Sequence, residues 1–304
     1  MLKSKILIEK VNSHYFDLQT QHNSINDYNN QILLSDENYI NFSNELGKLK
    51  FSLAKAQYLG DNAKVSELQT KISRTEKLIE TLKSTLPLAK IEYNCEICKD
   101  TGVINGERCK CFYKHLTEFA LDSLGVLEIE NVDFSSLTID KNLVKQYKVI
   151  KNYADNFPNT QISNLVLSGK VGTGKTTFAK CIYSTIKKTN NVCVFLSATE
   201  LNGIFLKVHT SVADRNVNFD LLTKADLLVI DDLGTENIYK NVTVEYLLAL
   251  ISTRLDRNKP FIITTNLTNK ELLERYNERL LSRLSDPKKT LFIPFFTNDL
   301  RKPN

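Results

Sequence analysis

The sequence is poor in the features that mark membrane, secreted or fibrous proteins. No uninterrupted apolar run approaches the roughly 18 residues that a membrane helix needs; the longest, around Leu227–Ile230 and Tyr246–Ile251, are short. The first residues, Met1-Leu2-Lys3-Ser4-Lys5-Ile6, lead into Glu9, Lys10, Asn12 and His14 and not into the apolar stretch of a secretory signal. With 10 glycines and 6 prolines in 304 residues, a collagen-like repeat is excluded. Charge of one sign is also scarce. The net charge of +5 divides into an excess of two before residue 116 and three after it, so no clustered electrostatic footprint for nucleic acid is visible. Internal repeats are absent. What remains is ordinary for a folded soluble chain, with 42% apolar and 25% charged residues. The expectation is a cytoplasmic protein of roughly two domains with no membrane association.

Apolar spacing divides the chain. Residues 1–36 are polar and Asn/Gln-rich, and predict one or two short helices with a loose connection. From Phe42 the pattern sharpens: Phe42, Leu46, Leu49, Leu53 and Ala56 recur at steps of four and three, which puts them on one helical stripe. Gly60-Asp61-Asn62 breaks the helix. Val65, Leu68, Ile72, Ile79, Leu82 and Leu86 resume the stripe, with Thr75 its one polar member and Pro87 marking the exit. Two stripes joined by a tight turn predict an antiparallel helical hairpin, serving either as a spacer or dimer seam or as a partner-docking arm. Leu116–Leu124 reads as a short helix. Beyond Leu165, apolar runs at Leu165–Ser168, Val192–Leu196, Leu227–Asp231, Phe261–Thr265 and Thr290–Ile293 alternate with stretches long enough for helices. That grammar predicts an α/β domain with a parallel sheet covered on both faces.

The strongest chemical signal is Gly169-Lys170-Val171-Gly172-Thr173-Gly174-Lys175-Thr176, which follows a strand and opens a helix predicted over 176–187. The glycines let backbone N–H groups, through Val171, Thr173 and Thr177, curl around phosphate oxygens, and the helix N-terminus adds partial positive charge. Lys175 is expected on the β- and γ-phosphates and the Thr176 hydroxyl on Mg²⁺. A second carboxylate is supplied by Leu227-Leu228-Val229-Ile230-Asp231-Asp232: Asp231 to hold Mg²⁺ through water, Asp232 as general base or water-positioner, or alternatively as a loop cap. Asn266, at the end of the next apolar run, is polar and placed to orient the attacking water.

Four of the six cysteines crowd into one stretch. Cys95-x-x-Cys98 and Cys109-x-Cys111 bracket ten residues that include Gly102 and Gly106. Four thiolates at this spacing suit a closed tetrahedral Zn²⁺ site that would stiffen the joint it sits in. His115 is a possible replacement ligand or a surface histidine. Cys181 and Cys193 lie apart among apolar residues.

Taken together, Gly169–Thr176, Ile230-Asp231-Asp232-Leu233-Gly234, Thr264-Thr265-Asn266 and Glu278-Arg279-Leu280-Leu281-Ser282-Arg283-Leu284 resemble the AAA+ ATPases. Within them they resemble the bacterial and phage helicase loaders of the DnaC/DnaI type, with the IstB transposition helper as a close relative. The resemblance covers roughly residues 93–304. It implies an AAA+ P-loop fold with a central parallel sheet, preceded by the helical hairpin and a small zinc-binding module. The corresponding domains are 1–92, 93–115 and 116–304. It implies that Asn266 is the sensor-1 residue, that Arg283 is the arginine finger reaching a neighbouring subunit's ATP with Arg279 as alternative or support, and that Arg301 is the sensor-2 arginine. ATP would then sit at subunit interfaces, making self-association part of the mechanism.

The implied function is an ATP-dependent loader of a DnaB-type replicative helicase onto single-stranded DNA, with ATP, Mg²⁺ and Zn²⁺ as cofactors. Residues 199–226 would contribute to DNA binding through Lys207 and Arg215, with His209 and Lys224 nearby. Phe205 and Phe219 are either stacking platforms or core residues. The alternatives are an IstB-like transposition helper, a P-loop small-molecule phosphotransferase with Arg279 and Arg283 in a lid, and a non-hydrolysing adaptor.

Overall fold

The computed structural model describes residues 2–126, 129–189, 191–210 and 215–297. The chain forms two compact units, one of residues 13–101 and one of residues 1–12 with 102–304. Among the described residues no helix is long and apolar enough to cross a membrane.

The first unit is built from α1 (Leu2–Ser35) from residue 13 onward, α2 (Glu37–Tyr58) and α3 (Asn62–Thr85). α1 corrects the expectation of short, loosely joined helices over residues 1–36. It is one helix, and its more buried positions from Tyr15 through Leu18, His22, Ile25, Asn29 and Leu33 keep the same three-and-four spacing as the apolar stripes that follow. Two of those positions are polar because they have long-range partners. The Asn29 side chain donates to the Ala89 carbonyl at 2.8 Å and accepts from the Ala89 N–H at 2.7 Å. His22 stands 3.6 Å from the Asp100 carboxylate and edge-on to the Tyr93 ring. α2 and α3 form the predicted hairpin. Asp36 and Asp61 cap their N-termini by accepting from Tyr39 N and Lys64 N. Ala56, Leu68, Ile72 and Thr75 are buried along the seam, and Lys50 bridges to Glu76 at 2.9 Å.

In the second unit the chain first makes a two-stranded hairpin, β1 (Val103–Ile104) and β2 (Glu107–Arg108), turning at Asn105-Gly106, both with positive φ. α4 (Lys110–Ser123) begins earlier than the apolar pattern alone suggested, with Cys109 as its N-cap. α5 (Val144–Asn156) precedes β3 (Asn164–Gly169), and then come α6 (Lys175–Lys187), β4 (Cys193–Ser197), α7 (Ala198–Thr210) and α8 (Arg215–Lys224). β5 (Leu227–Leu233), α9 (Thr243–Asp256), β6 (Phe261–Thr265), α10 (Asn269–Tyr276), α11 (Glu278–Leu284) and β7 (Thr290–Phe295) complete the described chain.

All five expected strands join one parallel sheet in the order β4-β5-β6-β3-β7. Strands buried on both faces need two cores, and alternate residues supply them. Leu165, Leu167, Val229 and Ile262 pack with α5 and α6, while Val166, Leu228, Ile230 and Ile263 pack on the other side with α7, α9 and α11. This is the AAA+ P-loop fold that the motifs imply.

Candidate nucleotide site and cysteine knuckle

The sheet order determines what can meet. With β6 lying between β3 and β5, the C-terminal ends of three neighbouring strands converge, as ligand sites of open parallel sheets do. β3 ends in the phosphate loop, β5 in Asp231-Asp232, and β6 leads to Asn266. Val171, Gly172, Thr173, Gly174, Lys175, Thr176, Thr177, Asp232 and Asn266 line one cavity of about 300 Å³. Of the loop residues expected to cradle phosphate, Val171 through Thr177 line it and Gly169 does not, and Lys175, Asp232 and Asn266 are the expected catalytic side chains it brings together.

Within the loop, Gly169 is required by close approach. Its φ is +151°, and a Cβ there would stand 2.5 Å from the carbonyl oxygen of Phe295 on the neighbouring strand. Gly169→Ala is therefore expected to displace the loop and destabilise the fold by on the order of 2 kcal/mol. A denaturant midpoint equal to that of the natural protein would contradict this. Lys175 opens α6 and is almost fully buried. Its Nζ donates to the carbonyls of Gly169 and Lys170, both at 2.8 Å, and to Asn266 Oδ1 at 2.6 Å.

The aspartates differ although adjacent. Asp231 is buried at the strand end, where its Oδ1 accepts from Thr176 Oγ1 at 3.0 Å and Thr264 Oγ1 at 2.6 Å. A bulge then interrupts β5: Ile230 pairs with Ile263 but Leu233 pairs with Thr265, so one extra residue sits on β5. Asp232 takes a left-handed conformation, φ +55°, and joins the cavity lining. Thr264 stabilises this geometry twice, donating to Asp231 and accepting the Asp232 N–H at 2.8 Å. Its role was hidden in the sequence inside a strand motif; the signal was a pair of hydroxyl residues, Thr264 and Thr265, closing an apolar strand.

Burial raises the Asp231 carboxyl above the ordinary aspartate range. The Thr264 hydrogen bond opposes this, and the Asp232 charge adds to it. The folded state therefore holds this proton to higher pH than the unfolded chain does. The resulting stabilisation is present at low pH and is lost as pH rises through the raised pKa. Asp231→Asn, which keeps an acceptor for both threonines, is expected to be more stable than the natural protein at neutral pH without metal, the gap closing on acidification. Thermal midpoints across the acidic range measure this, and an Asn variant less stable at pH 7 would contradict it.

The arginines are on the other side of the question. Arg279 and Arg283 are exposed on α11, while Leu280 and Leu284 anchor that helix in the core. Arg283 reaches Asp256 at 4.0 Å. Neither lines the cavity that holds Lys175. Arg301 lies outside the described residues. In the expected DNA-contacting region, Phe205 is buried and stacked on Tyr246, and Phe219 packs on the same core, so the core alternative holds for both rings. Lys207 is exposed, Lys224 pairs with Asp220 at 2.7 Å, and His209 lies against Tyr246; the Arg215 side chain is outside the described residues.

The sulfurs of Cys95, Cys98, Cys109 and Cys111 lie within 4.8 Å of one another, three of the four residues being buried. A four-thiolate donor set this close fits one tetrahedral cation. His115 is directed elsewhere, its Nδ1 3.2 Å from Glu118. Beside the first cysteine pair, the buried Asp100 carboxylate accepts from Asn94 N at 2.9 Å and Cys95 N at 2.7 Å. Gln19 on α1 donates to the Asp100 carbonyl at 2.8 Å. Nothing in the local sequence announced either contact.

Among curated proteins none matches this sequence. Solved structures similar in fold include DnaI, with 20% identity over 54% of this chain and 91% of that one (TM-score 0.45). The DnaC helicase loader is 23% identical over 53% and 96% (TM-score 0.45). AMPPCP-bound DnaA from Aquifex aeolicus is 19% identical over 56% of this chain and 51% of its own (TM-score 0.45). The model of the IstB-like ATP binding protein family matches residues 114–283, more than half of the chain, including the phosphate loop, the aspartate pair and all but the last residue of α11. On that match, and with the nucleotide cavity assembled as its motifs require, the chain belongs to the IstB-like ATP-binding family.

Proposed function

We propose that the chain is an ATPase that loads a DnaB-type replicative helicase onto single-stranded DNA, acting as an oligomer with nucleotide between copies. The observation that carries the ATPase part is the meeting of Lys175, Thr176, Asp232 and Asn266 around one cavity, with Asp231 hydrogen-bonded to Thr176 behind it.

In this reading the N–H groups of 170–176 and the α6 N-terminus bind the phosphates. Lys175 exchanges one of its three oxygen partners for a phosphate oxygen. Thr176 and Asp231 would hold Mg²⁺, which when bound neutralises charge on the β- and γ-phosphates. Asp232 accepts the proton of the attacking water, and Asn266, released by Lys175, orients that water beside the γ-phosphate. Arg283, supported by Arg279, stabilises the charge developing in a neighbouring copy's site. Zn²⁺ on the four cysteines would crosslink the knuckle.

The loader assignment is supported by what precedes the family match. The hairpin exposes Phe51, Tyr58 and Leu59, the last two at its tip, where they have no structural use within their own unit. Residues 1–92 would grip the helicase, 93–115 brace the arm, and 116–304 assemble and hydrolyse. The test is co-purification with the host replicative helicase, with and without ATP, followed by mass measurement of the complex. A multi-copy complex is expected; a chain that stays monomeric beside helicase and saturating ATP overturns the proposal. The family match itself favours a second reading, a transposition helper, which the same experiment separates by capture of a transposase and not of the helicase.

A further inference from the structure

A buried polar bridge follows the aspartate pair, and the chemistry above does not use it. Glu236 lies four residues beyond Asp232 and is 4% exposed. Its Oε2 accepts the Gly234 N–H at 2.9 Å. Its Oε1 accepts the Tyr276 hydroxyl and lies 3.7 Å from Arg275 Nη2, and the same guanidinium donates to the Glu236 carbonyl. Burial, and then the carboxylate, raise the Tyr276 hydroxyl well above the ordinary phenol range, so it remains a donor.

The two ends of this bridge are mechanically distinct. On one side, Gly234 sits in the turn that the bulge creates: Thr235 donates through both N–H and Oγ1 to the Asp232 carbonyl. Gly234, with φ +115°, passes so close to Leu267 that a Cβ would stand 2.6 Å from its Cδ1, one residue from Asn266. On the other side, Arg275 and Tyr276 end α10. Asn277 follows with φ +93°, and its side chain accepts from Leu280 N at 3.1 Å to start α11, which carries Arg279 and Arg283. A buried carboxylate costs several kcal/mol of desolvation unless its oxygens are satisfied, and apolar packing would serve stability as well. Here both oxygens are satisfied, Oε2 by the turn that follows Asp232 and Oε1 by the end of α10, which leads directly into α11.

We infer that Glu236, Arg275 and Tyr276 form a positioning bridge that holds the Asp232 turn and the arginine helix α11 in one register. Engagement of Arg279 and Arg283 by the triphosphate of a second copy is thereby felt at Asp232 of the first. This rests on the ATPase reading above, with α11 facing the neighbour.

The test uses Glu236→Gln and Tyr276→Phe, each in the full chain. In the nucleotide-free protein, amide exchange is expected to quicken together over residues 232–235 and 277–284. Turnover is expected to fall by about ten- to a hundredfold with ATP affinity within about threefold, since misplacement alone acts on kcat. Added to Arg283→Ala, Glu236→Gln is expected to lower turnover no further, because both break one coupled unit. Quickened exchange over 232–235 alone, or full turnover in both variants, or losses that multiply with Arg283→Ala, overturns the bridge. A fall in ATP affinity parallel to a fall in thermal midpoint also overturns it, as mere structural damage. Should Arg283→Ala itself turn over normally, the finger assignment fails and not the bridge, which the paired exchange then decides. If Glu236→Gln does not fold, Tyr276→Phe, which deletes one hydroxyl, decides alone.

Discussion

Replacing Arg283 with alanine is expected to reduce ATP turnover by about 10³- to 10⁵-fold, the range for a lost arginine finger, and to leave ATP affinity within about threefold. The side chain is 48% exposed, and its Asp256 partner is 75% exposed at 4.0 Å, a surface pair worth roughly 0–1 kcal/mol. Little therefore holds the guanidinium at home. The helix beneath it is fixed, because Leu280 and Leu284 are 1% exposed in the core. A fixed helix carrying a loosely held cation suits contact with a second molecule. Among the described residues, no arginine lines the cavity that contains Lys175 and Asp232. Steady-state turnover and equilibrium nucleotide titration separate the two effects. Mixing Arg283→Ala with Lys175→Ala copies is expected to restore turnover, because intact loops then meet intact arginines; unchanged turnover in the single variant, or no recovery on mixing, would remove the trans role.

Stripping metal from the cysteine knuckle is expected to have the largest effect on stability. Structural Zn²⁺ sites bind with about 10–16 kcal/mol at neutral pH, and that free energy is folding free energy when no preformed site exists without metal. Four sulfurs within 4.8 Å, on residues of which three are buried, repel once ionised unless a cation lies among them. The Asp100 carboxylate preorganises the first pair by holding Asn94 N and Cys95 N. Cys98→Ser, or chelation, is expected to abolish stoichiometric zinc and amide protection across 94–112. ATP affinity at the phosphate loop is expected to persist. A protein purified with zinc in its medium that contains none, and is indifferent to Cys98→Ser, would refute the assignment.

Most of the sheet was legible in the sequence because strands buried on both faces are continuous apolar runs, and each of the five stood between helical spacings. The phosphate loop was legible because glycines and a lysine at fixed positions have few other uses. α1 was misread for the opposite reason. His22 and Asn29 occupy buried-stripe positions, and their polarity makes sense only once Asp100 and Ala89, far along the chain, are seen beside them. Glu236 was invisible on the same ground: a lone acid after Asp232 reads as surface until Tyr276 and Arg275 close around it. The bulge that turns Asp232 toward the cavity also left no local mark, since it depends on register with β6. Local pattern reports periodicity; it does not report which distant group satisfies a buried charge.

The grip of Lys175 on two loop carbonyls and on Asn266 has a consequence for which ligands the loop would favour. Its charge is already solvated by these three neutral oxygens, so a lone anion would gain less by displacing one of them. Only a ligand that brings several phosphate groups along the whole loop can offset the surrender of those bonds. On the proposed reading, breaking the last of them would free the amide of Asn266, so that ligand binding and readiness of the water-orienting group would change in a single event.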